Sequence, residues 1–248
     1  MRALILASGR GSRLGNLTEQ QPKGFTKVAG KKLIDWQLSA LKCAGVEDIA
    51  VTTGYFKDCF NTLFKNQFYN HNWSTTNMVS SMLCAKSFLA NQDTIVSYSD
   101  IIYSKKTIEQ LVNDKNDITI AYDPNWLTQW QARYENPLDD AESFNQVNGV
   151  LTDIGRKVDS LNEVKGQYMG LLKFSKLGWS QVNTYLGKLS AQELAALDMT
   201  TMLQNLVSLG ITINTVEISD EWFEVDTLQD LKVAEDHVPS FSWLNHSA

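Results

Sequence analysis

Five consecutive apolar residues, Ala3 to Ala7, stand at the start of the chain, the pattern of a strand covered on both faces. In Lys31–Ala44 the apolar positions Leu33, Ile34, Leu38 and Leu41 fall on one helical face, and Gly45 ends the helix. Asp48–Gly54 reads as a second strand. Asn77–Ala90 reads as one helix, with Met78, Met82, Ala85 and Leu89 recurring at intervals of four or three. Thr94–Tyr98 is a strand running into Asp100, Ser104–Asn113 a helix, and Asp117–Tyr122 a strand. Further on, Gln167–Phe174 is strand-like and Ser175–Leu209 mostly helical. Ile211–Ile218 is a strand, and "EWFEVDT" a short strand leading into a helix, Leu228–His237.

This alternation predicts an α/β fold with a mostly parallel sheet and helices on both faces. Ligands of such sheets sit at the carboxyl ends of the strands. The loop after Ala7 and the acid Asp100 both lie at such ends, so they are expected to face one crevice. From Pro124 to Gly166 the periodicity weakens, and the chain turns rich in Trp, Asn and acids. Residues 124–166 read as an insertion or lid beside the sheet, within a single domain spanning 1–248.

Composition narrows the class. At 248 residues, with 43% hydrophobic and 20% charged, the chain suits one domain with a substantial core. A net charge of −6 argues against duplex DNA or an anionic membrane as partner, since both reward dense Lys/Arg surfaces. The cations near the N-terminus are therefore local and serve something small. Cys43, Cys59 and Cys84 are scattered, as are His71, His237 and His246, and neither set has disulfide or zinc spacing. The first apolar run is too short for a signal peptide or a membrane span, and a cytoplasmic protein is expected.

The candidate chemistry lies in "RALILASGRGSRLGNLTEQQPKGFTKV". A Walker loop fails here: Leu14 stands five residues after Gly9, and Asn16 five after Gly11. The dinucleotide fingerprint fails too, because Leu14 replaces its third glycine. No helix N-terminus is evident to hold phosphate. The loop must work otherwise. Gly9 and Gly11 let the backbone approach a base or ribose, and their N–H groups can point at phosphate. Arg13 offers a two-pronged guanidinium for a pyrophosphate, and Lys23, after Pro22, a point charge. The plain alternative is a glycine-rich turn with solvated cations.

The strand, then Leu6-Ala7-Ser8-Gly9-Arg10-Gly11-Ser12-Arg13-Leu14, then Pro22-Lys23, resembles the N-terminal signature of nucleotidyltransferases that activate sugar phosphates and small phosphorylated alcohols. The resemblance implies a Rossmann-like three-layer α/β/α sandwich with a mixed sheet. It implies nucleotide contacts from Leu6, Ala7, Ser8, Gly9, Gly11, Ser12, Arg13 and Lys23, with Arg13 and Lys23 catalytic. The implied reaction is attack of a phosphate oxygen on the α-phosphorus of a nucleoside triphosphate, expelling pyrophosphate. The attacking oxygen is already anionic at neutral pH, so the task is positioning and charge neutralisation rather than base catalysis. Mg²⁺ is the implied cofactor, and family aspartates at the places of Asp100 and Asp226 hold it. Each also has a structural reading, Asp100 as a turn residue and Asp226 as a helix cap. Glu224 shares a strand face with Asp226 by period two. It is a further ligand, a supporting acid, or a binder of a cationic acceptor. Asn77 and Ser81 sit where the family touches the nucleobase, though Asn77 is equally a helix cap.

Sugar-activating members carry a glycine-glutamate pair mid-chain; here Gly166-Gln167-Tyr168-Met169-Gly170 stands at that place. With "PKGF" and "WQARYENPLDDAES", this stretch is more similar to cytidylyltransferases that activate phosphocholine, aminoalkylphosphonates or phosphoglutamine for surface-polysaccharide decoration. CTP and a small phosphate or phosphonate acceptor are the implied partners. Arg133 and Lys165 are candidates for the acceptor's anionic head. Trp126, Trp130, Tyr168 and Trp222 can pack on an ammonium, with Glu142, Asp139 or Glu224 and Gln167 nearby. The Trp-rich segment reads equally as packing. The runner-up is a sugar-1-phosphate nucleotidyltransferase using UTP, dTTP or GTP. A non-catalytic nucleotide-binding regulator has no need of both acids, and an oxidoreductase fails at Leu14.

Overall fold

The computed structural model describes residues 1–246. In chain order the strands are β1 (Arg2–Ala7), β2 (Lys27–Val28), β3 (Lys31–Lys32), β4 (Ile49–Thr53), β5 (Asn66–Tyr69), β6 (Thr94–Tyr98), β7 (Ile101–Ile102), β8 (Ile118–Asp123), β9 (Glu142–Val147), β10 (Val150–Lys157), β11 (Gln167–Phe174), β12 (Asn214–Glu217) and β13 (Phe223–Glu224). The helices are α1 (Leu33–Cys43), α2 (Met78–Cys84), α3 (Lys86–Asn91), α4 (Lys105–Asn113), α5 (Trp126–Arg133), α6 (Lys176–Leu186), α7 (Ala191–Ala196), α8 (Met199–Ser208) and α9 (Leu228–His237).

Nine strands form the central sheet in the order β5-β4-β1-β6-β11-β8-β12-β10-β9. Side chains of β1 alternate between the two faces, as a strand requires. Leu4 and Leu6 join the cluster under α2, α3, α6 and α8, while Ala3, Ile5 and Ala7 join the one under α1, α4 and α5. Burial on both faces is why the strand is apolar throughout, and it makes the Rossmann-like three-layer sandwich expected from the sequence. The sheet is mixed. β5, β4, β1 and β6 are parallel neighbours; β11 runs antiparallel between β6 and β8. β12 is parallel to β8, and the β9–β10 hairpin adds antiparallel to its edge.

Several expectations shift. Helix α1 starts at Leu33, because Lys31 and Lys32 pair with Lys27 and Val28 in a small ribbon. The helix expected over Asn77–Ala90 breaks at Ala85 into α2 and α3. Strand β5 had no continuous apolar run to betray it; its residues at the sheet edge are only half-buried. The 124–166 segment is no free-standing lid. It contributes α5, and its hairpin turns at Asn148-Gly149 to extend the central sheet. Among the described residues no helix is long and apolar enough to cross a membrane.

A third cluster positions the site. Leu14, Val28, Leu33, Phe223, Val225 and Ala234 pack together, binding the turn after the glycine loop to the α9 end of the chain. The β7–β13 ribbon does the rest: Phe223 pairs with Ile102, Glu224 with Ile101, and Val225 N–H donates to the Asp100 carbonyl at 2.9 Å. Asp100 and Asp226, far apart in sequence, meet because of this ribbon.

Candidate active site

The glycine loop leaves β1 at the sheet's carboxyl edge. Gly11 adopts φ 69°, and a Cβ there would lie 2.7 Å from the Lys23 Cβ. Only glycine therefore lets the lysine stem lie against the loop. Gly54 plays a similar part at the end of β4: a Cβ would meet the Ser8 carbonyl and the Trp73 Cβ at 2.5 Å. The residues after Gly11 form a 3-10 turn, Ser12–Thr18, rather than an α-helix, so no long helix dipole points at the loop. Thr18 closes the turn by donating to the Gly11 carbonyl at 3.2 Å.

Opposite stands Asp100, in the turn between β6 and β7. Buried Gln37 of α1 fixes that turn by donating to the Tyr98 and Ile101 carbonyls, each at 2.8 Å. The Lys23 ammonium reaches Asp100 Oδ2 at 2.6 Å and is also bonded to Asp226 Oδ1. Arg13 pairs with the other Asp226 oxygen. Burial alone would lower the Lys23 pKa; the carboxylates of Asp100 and Asp226 outweigh it and hold the ammonium above its ordinary value. Asp100 Oδ1 is buried with no hydrogen-bond partner among the described residues.

These groups enclose a cavity of about 310 Å³. Of the sequence-predicted residues, Leu6, Ser8, Gly9, Gly11, Ser12, Arg13, Lys23, Asn77, Ser81, Asp100 and Asp226 line it; Ala7 is buried beneath. Asn77 does cap α2, its side-chain oxygen accepting from Met78 N–H at 2.8 Å, yet it also faces the cavity. Ser81 accepts from Asn70 at 3.0 Å. Trp73, Thr76, Tyr98 and Ser99 line the cavity as well and were not anticipated. Trp73 left no periodic signal; the glycine it packs on, Gly54, was the available hint.

The expected acceptor set is divided. Arg133 is a correction: its side chain is fully buried, donating to both Asp230 oxygens at 2.8 and 3.3 Å and pairing with Glu224 at 2.9 Å. It does not line the cavity. Trp126 is a second correction. It lies edge-on to Trp130, which in turn packs tilted against Trp222 in the core, where Trp130 donates to Asp140 and Trp222 to Asp123. Gln167 is buried, its amide donating to the Glu142 carbonyl at 2.7 Å, and does not line the cavity. Lys165 and Asp139 are exposed and Glu142 is half-buried. Tyr168 stays near the site, edge-on to cavity-lining Tyr98 at 5.9 Å. Glu224 also stays. Burial raises its carboxyl pKa, Arg133 opposes, and Asp100 and Asp226 add to the rise, leaving it at about 7.

Asp230, which the sequence did not single out, ties this region together. It accepts from the backbone N–H groups of Asp226 and Thr227 at 3.0 and 2.8 Å. Burial would raise its pKa, but the Arg133 guanidinium and these donors hold it below the usual carboxylate range.

A covered α/β sheet whose carboxyl edge brings a glycine loop, two cations and two acids around one cavity is the frame of a nucleotidyltransferase. More particularly, the chain belongs to the MobA-like NTP transferase domain family, which matches residues 3–160. It is 37% identical over 249 residues to the CTP:phosphoglutamine cytidylyltransferase of Campylobacter jejuni, covering 94% of this chain and 98% of that one. It is 26% identical to the CMP-5'-(3-aminopropyl)phosphonate synthase of Streptomyces rubellomurinus, over 95% of this chain and 38% of that protein. The solved structure of CTP:phosphocholine cytidylyltransferase from Streptococcus pneumoniae superposes with a TM-score of 0.72 at 21% identity, covering 96% of this chain and 98% of that one. That last likeness speaks for the fold alone.

Proposed function

We propose that the protein transfers CMP from CTP to a small phosphate-bearing acceptor of the phosphoglutamine type, releasing pyrophosphate. The observation that carries this reading is the 37% identity to a CTP:phosphoglutamine cytidylyltransferase along nearly the full length of both chains. The site chemistry agrees with it. The acceptor phosphate brings its own nucleophilic oxygen, so the step needs no base. The site offers charge. Arg13, with 64% of its side chain exposed, can turn toward a triphosphate, and Lys23 stands beside it. The glycine loop supplies N–H groups at close approach. On the acceptor side, Tyr168 and Glu224 remain as candidates for contact.

The residues present suit Mg²⁺. Asp100 and Asp226 converge on one cation, the Lys23 ammonium, and one Asp100 oxygen lacks a partner. The described residues hold no cluster of three or more His, Cys, Asp or Glu able to hold a metal. Mg²⁺ does not need one, since it commonly takes one or two carboxylates plus phosphates and water. Asp100 and Asp226 would hold it, and it would neutralise triphosphate charge. The product, a CMP-activated small molecule, is suited to a later transferase that decorates a surface polysaccharide.

The test is pyrophosphate release with Mg²⁺, using CTP, UTP, dTTP, GTP and ATP in turn. Each is offered phosphoglutamine, 2-aminoethylphosphonate, phosphocholine and sugar 1-phosphates separately. Release from CTP with phosphoglutamine is expected. Preference for another nucleotide with a sugar 1-phosphate would replace this reading with the sugar-activating one. CTP binding without release from any pair would leave a nucleotide-binding protein.

A further inference from the structure

The Lys23 ammonium is misplaced for a ligand of triphosphate. It lies between the two site acids, 2.6 Å from Asp100 Oδ2 and bonded to Asp226 Oδ1, with only 10% of its side chain exposed. Arg13, bonded to the same Asp226, keeps 64% of its side chain exposed. The Lys23 stem lies where a Gly11 side chain would be, its Cβ, Cγ and Cδ all within 2.9 Å of that position. The stem packs against the Gly11 backbone, which leaves the terminal ammonium as the part with room to move. Meanwhile Asp100 Oδ1 stays buried and unpartnered, so the ammonium leaves the acid pair one bond short.

Two cations cannot share that point. A divalent ion arriving alone must evict the ammonium, leaving a buried charge with no counter-ion, which is strongly unfavourable. A nucleotide changes this, because its phosphate oxygens give the ammonium somewhere to go. We propose that Lys23 is the resident counter-ion of the acid pair. It holds Asp100 and Asp226 together until nucleotide phosphates draw it away, so that metal enters with the nucleotide and not before it. The inference rests on the reading that these two acids take the metal. It adds an order of binding, and by linkage each ligand strengthens the other.

The experiment measures Mn²⁺ affinity without nucleotide, by electron paramagnetic resonance, on the full chain. It compares wild type, Lys23→Met, Lys23→Gln, Asp100→Asn, and Lys23→Met combined with Asp100→Asn, each first checked by thermal melting, and repeats wild type and Asp100→Asn with CTP present. Lys23→Gln is uncharged and close in length, and serves if Lys23→Met fails to fold. The expected result is weak binding by wild type and a gain of roughly 10- to 100-fold in either neutral variant, the scale of ordinary site-to-site coupling. The gain should vanish in the double variant. Equal affinity in wild type and both neutral variants, lowered by Asp100→Asn, would overturn the counter-ion role while leaving the metal reading intact. If Asp100→Asn leaves Mn²⁺ binding unchanged even with CTP present, the metal reading itself falls, and this inference with it.

Discussion

Two arginines bond the acids of this site, and they do opposite things. Arg13 reaches Asp226 from an exposed loop and keeps most of its side chain in solvent. Arg133 reaches Glu224 and Asp230 from the end of α5 with none of its side chain exposed. Its guanidinium lies 4.9 Å from the Trp130 ring centre and 5.0 Å from that of Tyr134. An arginine half in water can leave its partner for a ligand at small cost. One enclosed by rings and two carboxylates cannot, because leaving would strand buried charges. The same residue type is thus a ligand candidate on the nucleotide side and a brace on the other. Asp230 accepts from the backbone N–H groups of Asp226 and Thr227, so Arg133 steadies the turn that presents Asp226 to the cavity.

This contrast is sharpest in stability. Arg133→Ala should destabilise the protein by about 3–5 kcal/mol, the cost of removing one partner from a buried ion pair. Urea denaturation measures it. Wild-type stability together with a raised KM for the acceptor alone would return Arg133 to the acceptor pocket and erase the contrast. A change on the nucleotide side should reverse the balance. Gly11→Ala places a methyl 2.7–2.9 Å from the Lys23 stem, at a residue with φ 69°. Backbone strain there is worth about 1–2 kcal/mol. Turnover should suffer more, falling about 10²-fold, because misplacing a catalytic group by about 1 Å has effects of that size. Steady-state kinetics beside a melting curve separates the two. A variant that loses stability but keeps kcat would mean that Lys23 does not depend on its slot.

The same contrast explains what could be read in advance. The nucleotide side is local in sequence. A buried strand announces itself by an unbroken apolar run, and the glycines and cations after it resemble a known signature, so Ser8 to Lys23 were legible as a unit. Asp100 stood out only because the resemblance gave a place to an aspartate that otherwise reads as a turn residue after a strand. The turn behind Asp226 depends on a pairing between residues 97 apart, Arg133 and Asp230, which no spacing encodes. The interval Trp126–Trp130–Arg133 did predict a shared helical face. It could not say whether that face looks inward, and it does. The Asn148-Gly149 hairpin turn was available as a signal, but the weak periodicity around it masked a strand pair that completes the sheet. Asp230 went unnoticed because a capping acid in a first helical turn is ordinary until its neighbour is seen to line the cavity.

Asn77 lies where both kinds of behaviour meet, and its predicted effects are the smallest. Its side-chain oxygen caps α2 while the residue faces the cavity. Capping uses the oxygen as acceptor; contact with a pyrimidine carbonyl would use the amide as donor. The two roles therefore separate in one substitution. Asn77→Asp keeps the acceptor and adds negative charge at a helix start, which favours the cap. It removes the donor. Stability should stay within about 0.5 kcal/mol of wild type, because aspartate and asparagine cap about equally. The KM for CTP should rise roughly fivefold, the worth of one hydrogen bond of about 1 kcal/mol. Asn77→Ala should do both, losing about 1 kcal/mol of stability as well. Melting curves and KM for CTP on the two variants decide the matter. If Asn77→Asp leaves the KM unchanged and only Asn77→Ala lowers stability, Asn77 is a cap that happens to face the cavity. Recognition of the base then falls to Ser81 and Trp73.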